Sequence, residues 1–104
     1  MRTLKFIIEG QTIKQDPNCD FSGLVSGTSG YLMAEFSFSK EWKGLVKVAG
    51  FVSGDKEYEP KILENGKTCI IPAEVLERTI FSIYVVGKKD GLTLTTNKII
   101  VSQK

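Results

Sequence analysis

Three sets of side chains have types and spacings that chemistry could use. Glu57 and Glu59 lie two apart, so on a strand they would share a face. Paired carboxylates are what glycoside hydrolysis needs, held about 5 Å or about 6.5–9.5 Å apart across a cleft. Here they flank Tyr58 next to Lys56 and before Pro60, on what reads as an exposed edge. Acids in that setting are solvated or deter edge-to-edge pairing. Asp16-x-Asn18-x-Asp20 imitates the first half of a calcium loop, but Phe21 replaces its glycine and Gly27 its closing glutamate. That segment reads as a solvated turn. Gly23-x-x-x-Gly27-x-x-Gly30 is neither a dinucleotide fingerprint nor a Walker loop, and no Gly-Lys-Ser/Thr follows it. The chain has no histidine, which removes a Ser-His-Asp triad, a Cys-His pair and any His-ligated metal from its repertoire. We expect no enzyme activity, no cofactor and no metal, and assign no catalytic residue.

The candidates for binding are few. Tyr31 and Tyr58 fall on the parity opposite to neighbouring core positions, or on an edge, and are expected on an exposed binding face. Lys88 and Lys89, with Lys98 nearby in sequence, could form a small basic corner; the alternative is a solvated hairpin tip. Trp42 is the single tryptophan, and a lone tryptophan after a strand can be a binding anchor. With Ser39 and Gly44 around it, it reads instead as a plug folded back onto one end of the fold. Cys19 and Cys69 stand far apart with no C-x-x-C spacing. Two free thiols are expected over one disulfide, in keeping with a reducing compartment.

The elements that must position these residues are strands. The chain has 104 residues, enough for one domain and too few for two independent cores. Val, Ile and Thr make up a quarter of it, which favours strands over helices. Lys and Arg number 14 against 12 Asp and Glu, interspersed as on an ordinary surface, so a nucleic-acid stripe is not expected. No stretch has the apolar length of a membrane span, and the N-terminus lacks a signal-like core. Synthesis in the cytoplasm without a secretion signal follows.

Turn signals recur roughly every ten residues, the pattern of a sandwich or barrel. Leu4 to Glu9 and Gln11 to Gln15 would make a tight hairpin. Residues 16–30, rich in Gly, Ser and Thr, read as a mobile surface loop. In 31–38, Leu32, Ala34, Phe36 and Phe38 share the core face. Ser39 can cap one helical turn, and Gly44 can end it in a left-handed conformation. Leu45 to Val52 follows, with Ala49 and Phe51 on one face and Val46, Val48 and Val52 on the other. Pro60 makes 56–63 an edge strand or two short ones. Asn65-Gly66 signals a hairpin joining 61–63 to 67–71. Pro72 suits the first position of a helical turn over 72–77. Thr79 to Val86 is strongly apolar, Lys88 to Gly91 turns, and 92–95 with 98–101 complete the set. The expectation is one all-β domain over 1–104, an antiparallel sandwich of about eight or nine strands with one short helical turn.

Several of these segments also resemble a family. Phe36-Ser37-Phe38-Ser39-Lys40-Glu41-Trp42-Lys43-Gly44 is similar to an F-S-x-E-W-x-G signature of small structural proteins from phages and prophages of Gram-positive bacteria. The likeness runs through Phe51 and Tyr58 to Cys69-Ile70-Ile71-Pro72-Ala73-Glu74-Val75-Leu76, similar to C-x-I-P-x-E-V-L. It ends with the segment from Phe81 to Gly87 and with Leu94-Thr95-Thr96-Asn97, covering about positions 31 to 102. The resemblance implies an immunoglobulin-like β module of a virion, from the tail, baseplate or head-fibre group, that anchors or decorates and carries no reaction. It implies framework roles for Trp42, Gly44, Pro72 and Gly87 and locates no partner site. In many such proteins the module opens a longer chain; here the sequence stops at Lys104.

The expected role is therefore a virion structural or attachment module, binding other virion proteins through a sheet face, an edge strand or end loops. Homo-oligomerisation is a natural consequence of particle symmetry. The alternative is a carbohydrate- or cell-wall-binding module on the same fold, with Tyr31, Tyr58 or Trp42 stacking on a host surface glycan. An exposed Trp42 would favour it, a buried one would not.

Overall fold

The computed structural model describes Met1–Lys104. Ten strands and two short helical turns build two facing sheets, so the chain is an all-β sandwich. The smaller sheet has the order β2(Thr12–Gln15), β1(Arg2–Glu9), β3(Leu32–Phe38), β7(Thr68–Ile70). The larger runs β10(Ile99–Ser102), β8(Ile80–Lys89), β4(Val46–Ser53), β5(Lys56–Glu57); β6(Lys61–Ile62) also pairs with β4, and β9(Leu92–Thr95) with β8. No helix is long and apolar enough to cross a membrane.

Alternation explains the layering. Leu4, Phe6 and Ile8 on β1, Leu32, Ala34 and Phe36 on β3, Ala49 and Phe51 on β4, and Phe81, Ile83 and Val85 on β8 all turn inward and are buried. They join one core of 22 apolar residues. Through it runs an aromatic row. Phe21 meets Phe6 edge-on at 5.4 Å, Phe6 stacks on Phe36 at 5.4 Å, and Phe36, Phe38 and Trp42 follow at 6.2 and 5.2 Å.

The sequence predicts antiparallel pairing throughout; instead β1 and β3 run parallel in the register Phe6↔Phe36. A parallel return needs a connection of a dozen residues or more. β2 brings the chain back along β1, and residues 16–31 then pass the start of β1 to reach the start of β3, tied down along their length. Arg2 donates to the carbonyls of Asp20 and Ser22 at 2.8 and 2.6 Å. The Cys19 sulfur accepts from the Lys5 amide at 3.3 Å. Leu24 is buried, its carbonyl accepts from the Lys104 amide at 2.9 Å, and the Gly27 amide donates to Leu76 O at 2.8 Å.

A second difference lies at Asn65-Gly66. Both residues adopt positive φ, 53° and 68°, as the turn type requires. The flanking strands nevertheless enter different sheets, β6 on β4 and β7 on β3, leaving one bridge, Glu64↔Thr68, between them. Leu63 and Cys69 both point into the core, which pulls the two arms onto opposite layers.

The motif around Trp42 locks one end. Lys40–Trp42 form a 3-10 turn, and Gly44 follows at φ +80°. Ser39 does not cap that turn with its side chain; its hydroxyl oxygen accepts from the Gly10 amide at 2.9 Å. Trp42 is fully buried and its indole N–H donates to Gly10 O at 2.8 Å, so both groups grip the β1–β2 hairpin tip. A side chain on Gly87 would begin 2.8 Å from Trp42 Cζ3 and 2.9 Å from Leu45 Cδ1, too close for any Cβ. The helical turn α1(Ala73–Leu76) is shorter than expected, and Pro72 sits just ahead of it as the N-cap residue.

Candidate functional site

The outer face of the larger sheet is the feature that stands out. On β4 the outward residues are Val46, Val48, Gly50 and Val52, and on β8 they are Ile80, Ser82, Tyr84, Val86 and Lys88. Ile62 lies opposite Val48, Glu57 opposite Val52, and Ile100 opposite Ser82. Val46, Ile62, Ile80 and Ile100 are 63%, 70%, 57% and 60% exposed, far above what an ordinary solvated sheet face carries.

A single polar stripe crosses this face. Gly50 pairs with Tyr84, whose ring lies so close over Gly50 that a Cβ there would overlap it. The ring thus covers bare backbone, a packing that only glycine allows. Tyr84 donates its hydroxyl to Glu57 Oε1 at 3.4 Å, and Lys98 Nζ stands 5.8 Å from the ring centroid. Burial, then the Glu57 charge, push the Tyr84 phenol above its usual pKa, so it stays neutral. Apolar patches flank the stripe, with Val46, Val48, Ile62 and Val86 on one side and Val52, Ile80 and Ile100 on the other.

No family model, curated protein or solved structure matches this chain. The geometry alone therefore has to carry the functional reading.

The residues singled out for binding do not converge. Tyr31 is half exposed, at the entry to β3. Lys88 and Lys89 stand exposed near the other end, next to Gly87 and the Trp42 plug. Tyr58 is not on an exposed face: it is 8% exposed and its hydroxyl accepts from Arg78 Nε at 3.1 Å. Glu57 faces outward opposite Val52, so alternation turns Tyr58 inward, where its amide donates to the carbonyl of the buried Phe51 at 2.9 Å. Lys98 lies over Tyr84 on the sheet face, so it builds no corner with Lys88 and Lys89.

The remaining chemical candidates are local structure. Asp16 Oδ1 accepts from the Asn18 amide, and Asp20 Oδ1 from the Ser22 amide and hydroxyl, at 2.9, 2.8 and 2.6 Å. Each carboxylate closes its own turn. The Ser22 bonds hold the Asp20 carboxyl below its usual range, as the Ser39 hydroxyl does for Glu41. No three His, Cys, Asp or Glu side chains gather to hold a metal. Both cysteines are free, and burial pushes the Cys69 thiol up to about 11.

The sequence reading passed over Ile62, Tyr84 and Ile100. A signal for the face was present: 45–52 carries apolar residues on both parities, and 79–86 has almost no polar alternate.

Proposed function

We propose that this chain is a non-enzymatic structural or attachment module of a phage or prophage particle, and that the outer face of its larger sheet is the contact surface. The sequence resemblance supports the particle role, and the exposed apolar character of that face supports its use as the contact surface. The occupant we assign is another copy of the chain. Glu57 lies on the β5 edge and Lys98 beside the β10 edge, so a two-fold axis parallel to the strands brings each onto its opposite charge. Burying a Val or Ile side chain contributes about 1.5–3 kcal/mol, so the four most exposed ones on each of two copies together contribute roughly 10 kcal/mol at their present exposure. Association costs about 4–15 kcal/mol, which makes a lone pairing weak and a symmetric array of pairings firm. Weak single contacts made strong by repetition suit a particle component.

The stacking platform of the carbohydrate-binding alternative gains no support. Trp42 is fully buried and Tyr58 nearly so, leaving Tyr31 alone.

Light scattering across a concentration series tests the proposal. The expected result is concentration-dependent association that survives high salt and weakens at least about tenfold in Ile62→Lys/Ile100→Lys, since each lysine buries a charge in an apolar contact. A monomer at every concentration, or association that salt abolishes, overturns it. Mass spectrometry of particles from an induced culture of the source bacterium tests the virion role, and absence of the chain from them sinks it.

A further inference from the structure

At the Trp42 end the two sheets part, and a groove of about 620 Å³ opens between the end of β3, the start of β4 and the Asn65-Gly66 turn. Its volume is in the range of small-ligand sites. Four lysines line it, Lys40, Lys43, Lys47 and Lys67, against one acid, Glu35. The whole chain carries 14 bases against 12 acids, so this excess is local. We propose that the groove binds a non-aromatic anion carrying several phosphate groups. The proposal stands apart from the apolar face and from any role in a particle.

Lys47 shares the inward parity of Ala49 and Phe51, so its stem enters the gap between the sheets where the core ends. The side chain is half-buried. Its ammonium donates to Leu45 O at 3.1 Å and stands 5.2 Å from the Phe38 ring centroid. No carboxylate answers it, because the one ion pair in the protein is Lys14–Glu9. Lys89 Nζ comes within 3.5 Å of where a Gly44 side chain would start, adding a charge at the rim. Ammonium groups gathered this way repel one another, and an anion seated among them relieves that repulsion.

The residue types narrow the ligand. Lysines are rotatable point charges without the planar fork of arginine, which suits oxygens presented from several directions. Phe36 and Trp42 are sealed beneath the groove, and Lys47 covers Phe38. No free aromatic face remains on which a nucleobase could stack, which disfavours single-stranded nucleic acid.

Calorimetric titration of the intact chain with tripolyphosphate, and amide shift mapping by NMR, test the site. Binding is expected at low salt with shifts confined to residues 38–47 and 65–67, weakening steeply as salt is added. Lys47→Met, which keeps the stem over Phe38, and Lys43→Gln/Lys67→Gln should each weaken binding about tenfold or more. Lys14→Gln and Lys98→Gln, remote from the groove, should leave it unchanged, and circular dichroism confirms that every variant is folded. Long-chain polyphosphate binding no tighter per site marks a free oligophosphate as the natural ligand; much tighter binding marks a polymer. No binding, equal loss in the remote variants, or tighter binding of a single-stranded oligonucleotide of equal charge overturns the proposal.

Discussion

The two sheets share one core but present different outer faces. Outside the smaller sheet stand Lys5, Glu9, Lys14, Glu35 and Ser37, with Thr3, Ile7 and Met33 half-buried between them and Ile70 half exposed beside Met33 at the β7 edge. Outside the larger stand Val46, Val48, Ile62, Val86, Ile80 and Ile100, interrupted by the Lys98–Tyr84–Glu57 stripe. Inner alternation is equally strict in both, so folding demands nothing of the outer faces beyond strand formation. The difference between them therefore reports on what each face meets. The smaller sheet's face is mostly polar with a few apolar residues, and the proposed contact surface is the more continuous apolar face of the larger sheet.

The largest expected effect tests what the faces share. Trp42→Ala removes the plug that Gly87 and Leu45 pack against and the indole bond to Gly10, and should cost about 3–5 kcal/mol in denaturant unfolding. A loss under about 1 kcal/mol would mean that the sheets close without it. A smaller effect distinguishes an inward position on the smaller sheet. Burial raises the Cys69 thiol to about 11 in the folded state, above its ordinary value of 9.0. The unfolded chain therefore loses the proton first as pH rises. The contribution is fully present below pH 9.0 and disappears between there and about pH 11, a loss of roughly 2–3 kcal/mol. Other groups titrate in that window, so the measurement is the difference in pH slope between the parent and Cys69→Ala. Identical slopes would show that Cys69 carries no burial penalty.

Local chemistry was legible, and long-range partnership was not. Asn65-Gly66 announced its backbone conformation, yet a turn says nothing about whether its arms stay in one sheet; burial of Leu63 and Cys69 decided that. The inward face of β1 was readable from Leu4, Phe6 and Ile8, but the same alternation serves parallel and antiparallel neighbours. Only the length of 16–31, more than a tight turn between neighbouring strands needs, hinted that β3 pairs with β1 and not with β2. Tyr58 was misplaced because 56–63 reads as an exposed edge, although exposed Glu57 and Glu59 on either side leave it the inward face, beside Phe51. The apolar face was half visible in Val46, Val48 and Val52, whereas its rows with Ile62 and Ile100 needed the register. The groove was less visible still, since its lysines come from segments that meet only where the chain changes sheets.

The smallest effects separate the faces by how each holds itself together. On the larger sheet, Tyr84→Ala strips the ring from Gly50 and should cost about 1 kcal/mol, as cross-strand aromatic pairs do. Tyr84→Phe keeps the cover and gives up only a long bond to Glu57, so most of the stability should remain. On the smaller sheet the comparable lateral contact is Lys14–Glu9 at 3.4 Å, with both side chains more than half exposed. A double-mutant cycle on that pair should yield no more than about 0.5 kcal/mol and fall to nothing in 1 M salt, because water and ions screen it. The Tyr84 effect should persist in the same salt, being packing over backbone. Were both to vanish together, the stripe on the larger sheet would be electrostatic, and the contrast between the two faces would reduce to the aliphatic residues alone.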